Sequence, residues 1–207
     1  MIKVNYVTSS KFKREEIELI ENFCQLSDGT PIKGNFNFIL HELNIPERLE
    51  VDLEKMVTHE VKKAYSILKV PCIVEHAGLI FDNHLSNNYP GGLTKPMWNT
   101  LGKDFISETN SSQIKVIARA FIGFCDGKTV HTFKGETKGS ISEIPKGNRA
   151  FYWDTIFIPD CELNLTYAEI VDTYGLKDKI VKYSQSSKAM IGFLDFIFNK
   201  KSDDFWE

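Results

Sequence analysis

The chain holds no apolar run long enough to cross a bilayer. Its most apolar late stretch, Met190 to Phe198, is short and interrupted by Asp195, whereas a spanning helix needs about 20 such residues. The N-terminal end lacks a basic segment followed by a long apolar core, so neither membrane nor export is expected. Cysteine is scarce. Cys24, Cys72, Cys125 and Cys161 lie far apart without CxxC or metal-ligand spacing, which argues for buried reduced thiols and a cytoplasmic setting. An excess of either charge is missing too. The 25 Lys and Arg against 28 Asp and Glu leave a net charge of -3, and sequence-independent nucleic-acid binding needs a broad basic face. Any phosphate site must therefore be local. Internal repeats, linkers and low-complexity tracts are not found, and one domain over residues 1–207 is expected.

With 207 residues, 42% hydrophobic and 12% aromatic, the chain can bury a substantial core without metals or disulfides. Met1 to Thr8 alternates Ile2, Val4 and Tyr6 as a strand does, and Ser9-Ser10 are N-cap candidates for the amphipathic run Phe12, Ile17, Leu19, Ile20, Phe23. A helix starting directly after a strand offers unpaired N–H groups to an anion. Asn35–Leu43 reads as a second strand. Val51–Leu68 reads as a helix with Met56, Val57, Val61, Ala64, Ile67 and Leu68 turned inward. Val70–Phe81 reads as a buried strand pair and Asn83–Pro90 as a loop. Gln113–Phe124 and Lys128–Phe133 form a hairpin through Cys125-Asp126-Gly127. Thr166 and Glu169 have the spacing of a capping box. The tail Lys200–Glu207 sets Phe205 and Trp206 on a charged background, either as a frayed end or as a docking segment for a partner.

The densest signal is Pro145–Asp160, where Phe151-Tyr152-Trp153-Asp154 leads into Ile156-Phe157-Ile158. Adjacent aromatics are costly to expose, so the segment is core or a binding wall. At strand period Phe151 and Trp153 share one face and Tyr152 the other, which offers a flat ring suited to a nucleobase.

This stretch resembles the G-F-G-[WY]-D-P-I-F segment of the inosine triphosphate pyrophosphatase family. It departs at Ala150 and Tyr152, where Gly is usual, and at Thr155, where Pro is usual. Phe133-Lys134-Gly135-Glu136-Thr137-Lys138-Gly139-Ser140-Ile141 is similar to the family's F-x-G-x-x-x-G-x-I hairpin, and Pro145-Lys146-Gly147 to its P-R-G turn. The resemblance covers nearly the whole chain. It implies an α/β fold: a long mixed, twisted sheet flanked by helices, with a cleft between two lobes, usually as a homodimer. It also implies cleavage of deaminated purine nucleoside triphosphates, dITP, ITP or XTP, to the monophosphate and pyrophosphate.

Residue by residue, Thr8-Ser9-Ser10-Lys11-Phe12-Lys13 resembles T-G-N-x-x-K, which carries a nucleotide-binding role to Thr8, Ser10 and Lys13. Glu47 matches a metal-binding Glu. On the following helix the family places a Lys that meets the triphosphate; here His59 or Glu60 stands there, with Lys62 and Lys63 on other faces. Val74-Glu75-His76-Ala77-Gly78-Leu79 resembles V-x-E-D-[ST]-G-L, so Glu75 is kept as a catalytic and metal residue, while His76 replaces the Asp proposed as base. A hard ion such as Mg²⁺ loses an oxygen ligand by that change, although a neutral His can serve as a base. Gly91-Gly92-Leu93-Thr94-Lys95-Pro96 resembles G-G-x-P-G and makes Lys95 a phosphate contact. Phe151, Trp153 and Asp154 fall at the base and sugar. Lys182-Tyr183-Ser184-Gln185-Ser186 stands against K-N-x-x-S-H-R, with Lys179 or Lys182 for the phosphate lysine and Gln185 able to donate to a 6-oxo group.

Several charged members of the site are thus replaced while its framework is kept. The expectation is a catalytically weakened nucleotide sensor, set by analogy in antiviral defence, that signals to an effector protein. The alternative is an active Mg²⁺-dependent pyrophosphatase with His76 as base.

Overall fold

The computed structural model describes the backbone of residues 1–148 and 151–203, and side chains as far as residue 200. Strands in chain order are β1 (Ile2–Val7), β2 (Phe36–His41), β3 (Cys72–Phe81), β4 (Pro90–Gly91), β5 (Lys115–Cys125), β6 (Val130–Ile141) and β7 (Phe157–Pro159). The helices are α1 (Lys11–Phe23), α2 (Leu53–Leu68), α3 (Thr94–Leu101), α4 (Phe105–Glu108), α5 (Tyr167–Tyr174), α6 (Leu176–Asp178) and α7 (Gln185–Asp203). Among these residues the strands form one mixed sheet in the order β2-β1-β3-β5-β6-β7, with β4 on the end of β3. β1 is parallel to β2 and β3; the remaining pairings are antiparallel.

Strand alternation sorts the core onto two faces. Tyr6, Ile73, Ala120 and Ile122 turn toward α1 and α7, where they pack with Ile17, Ile20, Met190 and Phe193. Their neighbours Val7, Val74, Phe121 and Cys125 turn the other way, onto Leu53, Met56, Val57 and Val61 of α2. A third cluster lies at the far end of the β5–β6 hairpin, where Leu79, Phe81, Val116 and Ile141 meet Trp153, Phe157 and Tyr167. The expected α/β architecture of a mixed sheet flanked by helices is what the chain adopts.

Local chemistry sets the element ends. The Ser10 hydroxyl accepts from the Lys13 N–H at 3.5 Å and opens α1, and Asp52 accepts from the Glu54 and Lys55 N–H groups at 2.9 and 3.2 Å to open α2. Thr166 and Glu169 form the expected capping box. Three readings of the sequence need correction. The span Val70–Phe81 holds one continuous strand, Cys72–Phe81, because β3 pairs with β5 over that range without a break. Ile67 is 56% exposed, since α2 turns an apolar residue outward in its last turn. The segment Asn83–Pro90 is largely a short 3-10 helix, Asp82–Asn87. Phe205 and Trp206 of the tail lie outside the described residues.

Gly135 fixes the start of α7. A Cβ there would sit 2.0 Å from the Gln185 carbonyl oxygen and 2.5 Å from the Ala189 nitrogen, so β6 and α7 touch backbone to backbone. Gly135→Ala is expected to lower stability by roughly 1–3 kcal/mol through overpacking. Chemical denaturation checks the loss.

Candidate active site

The cleft lies where β1, the start of α1, α2, the middle of β3 and the Phe151–Trp153 turn converge, with about 970 Å³ of space counted out to its open mouth. Thr8, Ser10, Lys13, Glu47, Glu75, His76, Lys95, Phe151, Trp153 and Gln185 all line it, as do Glu16, Glu60, Tyr152, Lys179 and Ser186.

At one end lies the strand-to-helix turn. The Thr8 hydroxyl accepts from the Ser10 N–H at 3.2 Å, and the Lys13 ammonium reaches across to donate to the Glu75 main-chain carbonyl. Glu75 accepts at 2.7 Å from the Tyr6 hydroxyl, which is fully buried between the sheet and α1. Burial and the Glu75 charge together push the Tyr6 phenol well above its ordinary value, so it stays a donor. Glu47 and Lys95 face one another at 2.8 Å. Burial works against both charges, yet the mutual hydrogen bond and attraction win: the Glu47 carboxyl is lowered and the Lys95 ammonium raised.

The departures at positions 60 and 76 meet. His76 on β3 is hydrogen-bonded through Nε2 to the carboxylate of Glu60 on α2. An acid is therefore present beside position 76, contributed by the helix instead of the strand.

The Phe151–Trp153 segment differs from the strand reading. Tyr152–Thr155 is a 3-10 turn and Tyr152 has φ 45°, so the three rings fan out instead of alternating. Phe151 packs at 4.6 Å on Phe12 and 4.9 Å on Tyr152. Trp153 is only 4% exposed and packs on Phe157 and Tyr167; it is core that floors the cleft. Asp154 is not on the cleft wall. It is 1% exposed and paired at 2.8 Å with Lys179, which also bonds Glu16 at 3.2 Å.

Lys182 also needs correction: it is exposed and paired with Asp178 at 2.6 Å, outside the cleft. Lys179 is the lysine that enters. It stands five positions before Ser184, where the K-N-x-x-S pattern has four, and a π turn over Lys179–Tyr183 takes up the extra residue through a Ser184 N–H to Lys179 C=O bond of 3.0 Å. Its ammonium lies 5.2 Å from the Phe151 ring centre and 5.1 Å from that of Tyr167. Gln185, at the start of α7, is bonded through Oε1 to the Tyr167 hydroxyl at 3.2 Å.

The Ham1 family model matches residues 4–194. The chain belongs to the Ham1 family. It is 32% identical over 208 residues to an inosine triphosphate pyrophosphatase of Scheffersomyces stipitis, covering 97% of this chain and 100% of that one. It is 36% identical over 202 residues to a dITP/XTP pyrophosphatase of Saccharolobus solfataricus, covering 95% and 94%. Among solved structures, a HAM1 protein from Coxiella burnetii superposes with a TM-score of 0.67 at 16% identity, over 97% of this chain and 100% of that one. The family resemblance carried by the motifs therefore holds over almost the whole chain.

Some members of the site were not singled out in the sequence. Tyr6 and Glu16 are invisible without the fold, though Glu16 follows Lys13 by three positions and so shares its helix face. Lys179→Met would leave the buried acids Glu16 and Asp154 without the cation between them. The expected cost is about 3–5 kcal/mol, a fall in Tm of roughly 6–20 °C for a chain of this size. The loss should shrink as pH falls, because burial already pushes the Glu16 carboxyl upward and protonation removes its charge. Thermal melts of both proteins across pH check this.

Proposed function

We propose that the chain is an active, Mg²⁺-dependent pyrophosphatase that cleaves dITP, ITP or XTP to the monophosphate and pyrophosphate. The observation that carries this is the Glu60 carboxylate beside His76. The sensor reading rested on lost charged groups. One of them, the acid of position 76, has a counterpart on α2 in Glu60, and Lys179 reaches the cleft across the π turn, bonded there to Asp154 and Glu16. The names of the two relatives described above support the same chemistry. The substrate class, the cation and the residue roles below belong to this proposal.

In this reading the triphosphate lies between the first turn of α1, with its Ser10 cap and Lys13, and Lys95. Backbone N–H groups and ammonium charges hold it there. The base stacks on Phe151, and the Gln185 amide reads its edge.

Among the described residues no group of three or more His, Cys, Asp or Glu side chains could hold a metal by itself. Glu47 and Glu75 nevertheless line one wall, and Mg²⁺ is commonly held by one or two carboxylates together with substrate phosphates. The residues fit that mode, with Glu47 and Glu75 as the protein ligands. When bound, the ion neutralises phosphate charge and polarises the bond to be cut. His76 takes the proton of the attacking water. The four cysteines are unpaired, which supports the cytoplasmic placement; the homodimer implied by the resemblance is kept as part of the proposal and is read from solution mass.

Purified protein incubated with Mg²⁺ and each triphosphate is expected to release pyrophosphate at about 1 per second or faster. Tight binding of dITP with no pyrophosphate released would reinstate the sensor. Phe151→Ala is expected to weaken nucleotide binding roughly ten- to a hundred-fold, the energy of one base stacked on an aromatic. Calorimetry with a non-hydrolysable analogue measures it, and a normal affinity in the folded variant would remove Phe151 from the base site.

A further inference from the structure

Relative to the family pattern, position 76 carries an imidazole in place of an acid, and Glu60 is one of the two residues at the place of a lysine. The two side chains bond to one another across β3 and α2 inside the cleft. In this contact the helix supplies the acid and the strand supplies the nitrogen base. Geometry then constrains the ring. A carboxylate only accepts, so the nitrogen facing it, Nε2, carries a hydrogen, and in the neutral tautomer Nδ1 is then the nitrogen with the lone pair. Among the described residues Nδ1 bonds no protein group, and it is not sealed from the cleft. The side chains of His76 and Glu60 are 12% and 11% exposed, so water has little access to break their contact.

We infer that Glu60 is a positioning residue for hydrolysis. It fixes His76 with Nε2–H toward α2 and Nδ1 toward the attacking water, and its charge stabilises the imidazolium that forms. This rests on the hydrolytic reading above. In the step, one O–H bond of water breaks and its proton passes to Nδ1. The oxygen bonds to the α-phosphorus as the bond from that phosphorus to the α–β bridging oxygen breaks. Pyrophosphate leaves with the electron pair. No further reactant is needed. The logic is that of an acid orienting a histidine base, reached here from a helix and a neighbouring strand.

Two readouts on the whole protein test it: kinetics with dITP and Mg²⁺, and the ¹⁵N spectrum of labelled histidine. The His76 signals among the 5 histidines are assigned by their loss in His76→Gln. Wild type is expected to show hydrogen on Nε2. Glu60→Ala, which removes the acceptor, should lower kcat about a hundredfold or more while KM moves less than about threefold, and should lose that spectral signature; Glu60→Gln, whose amide oxygen still accepts from Nε2–H, should keep the signature and lose less kcat. Glu60→Lys and His76→Asp should each be as damaging alone as Glu60→Ala, one setting an ammonium against the ring and the other setting two carboxylates together. The double variant, which rebuilds a Lys–Asp pair, should exceed either single by at least about tenfold. If Glu60→Gln and Glu60→Ala, both shown folded by their melts, keep wild-type kcat and the wild-type spectrum, the inference is overturned while hydrolysis stands. If wild type itself releases no pyrophosphate from any triphosphate, the hydrolytic reading falls and this inference with it.

Discussion

The ammonium of Lys179, held 2.8 Å from Asp154 and 3.2 Å from Glu16 and almost wholly removed from water, is the constraint on which the cleft depends. Its three groups come from α1, from the turn after Phe151 and from the π turn before α7, segments far apart in sequence. A buried cation between two buried acids is no great source of net stability, because desolvation offsets much of the attraction. It is, however, strongly specific: each segment has one position in which both Glu16 and Asp154 reach the ammonium. The same ammonium sits near the faces of Phe151 and Tyr167, so the aromatic wall is located by the charge behind it.

How far the sequence could be read follows from the range of each interaction. Ser10, Asp52 and Thr166 act over two or three residues, and the strand-to-helix turn with its cap was legible because everything that makes it is local. Inward faces of β1 and α2 were legible for the same reason, through periodicity. The Phe151–Trp153 segment misled that logic. Alternation presumes an extended backbone, and here tertiary packing of Trp153 against Phe157 and Tyr167 bends the chain into a 3-10 turn with Tyr152 at φ 45°. Counting four back from Ser184 lands on Ile180 and leaves Lys179 and Lys182 as candidates on either side; only the π turn, which adds a residue, shows that Lys179 is the one brought to the cleft.

Tyr6 with Glu75, and Glu60 with His76, belong to a third kind. Each pair joins residues 69 and 16 positions apart, and neither partner announces the other. Glu60 or His59 stands in the sequence where a lysine is usual, and His76 where an aspartate is usual. Only when α2 is laid against β3 does the Glu60 carboxylate come to face the His76 ring. A site judged position by position therefore misses what a contact between two changed positions supplies.

The charges of the cleft also bear on the order of events in the proposed reaction. Glu47 is held by Lys95 and Glu75 by Tyr6, while Lys13 is held by the Glu75 carbonyl. Each of these groups already has a protein partner, and the bond between Glu47 and Lys95 favours the charged form of both. A bare divalent ion arriving alone must compete with the Lys95 ammonium for Glu47 and leaves that ammonium facing a second cation. A bare triphosphate arriving alone draws Lys95 away and leaves Glu47 facing phosphate oxygens. In the proposed reaction a nucleotide carrying its cation would offer phosphate to Lys95 and the cation to Glu47, so neither half of this pair would lose its counter-charge.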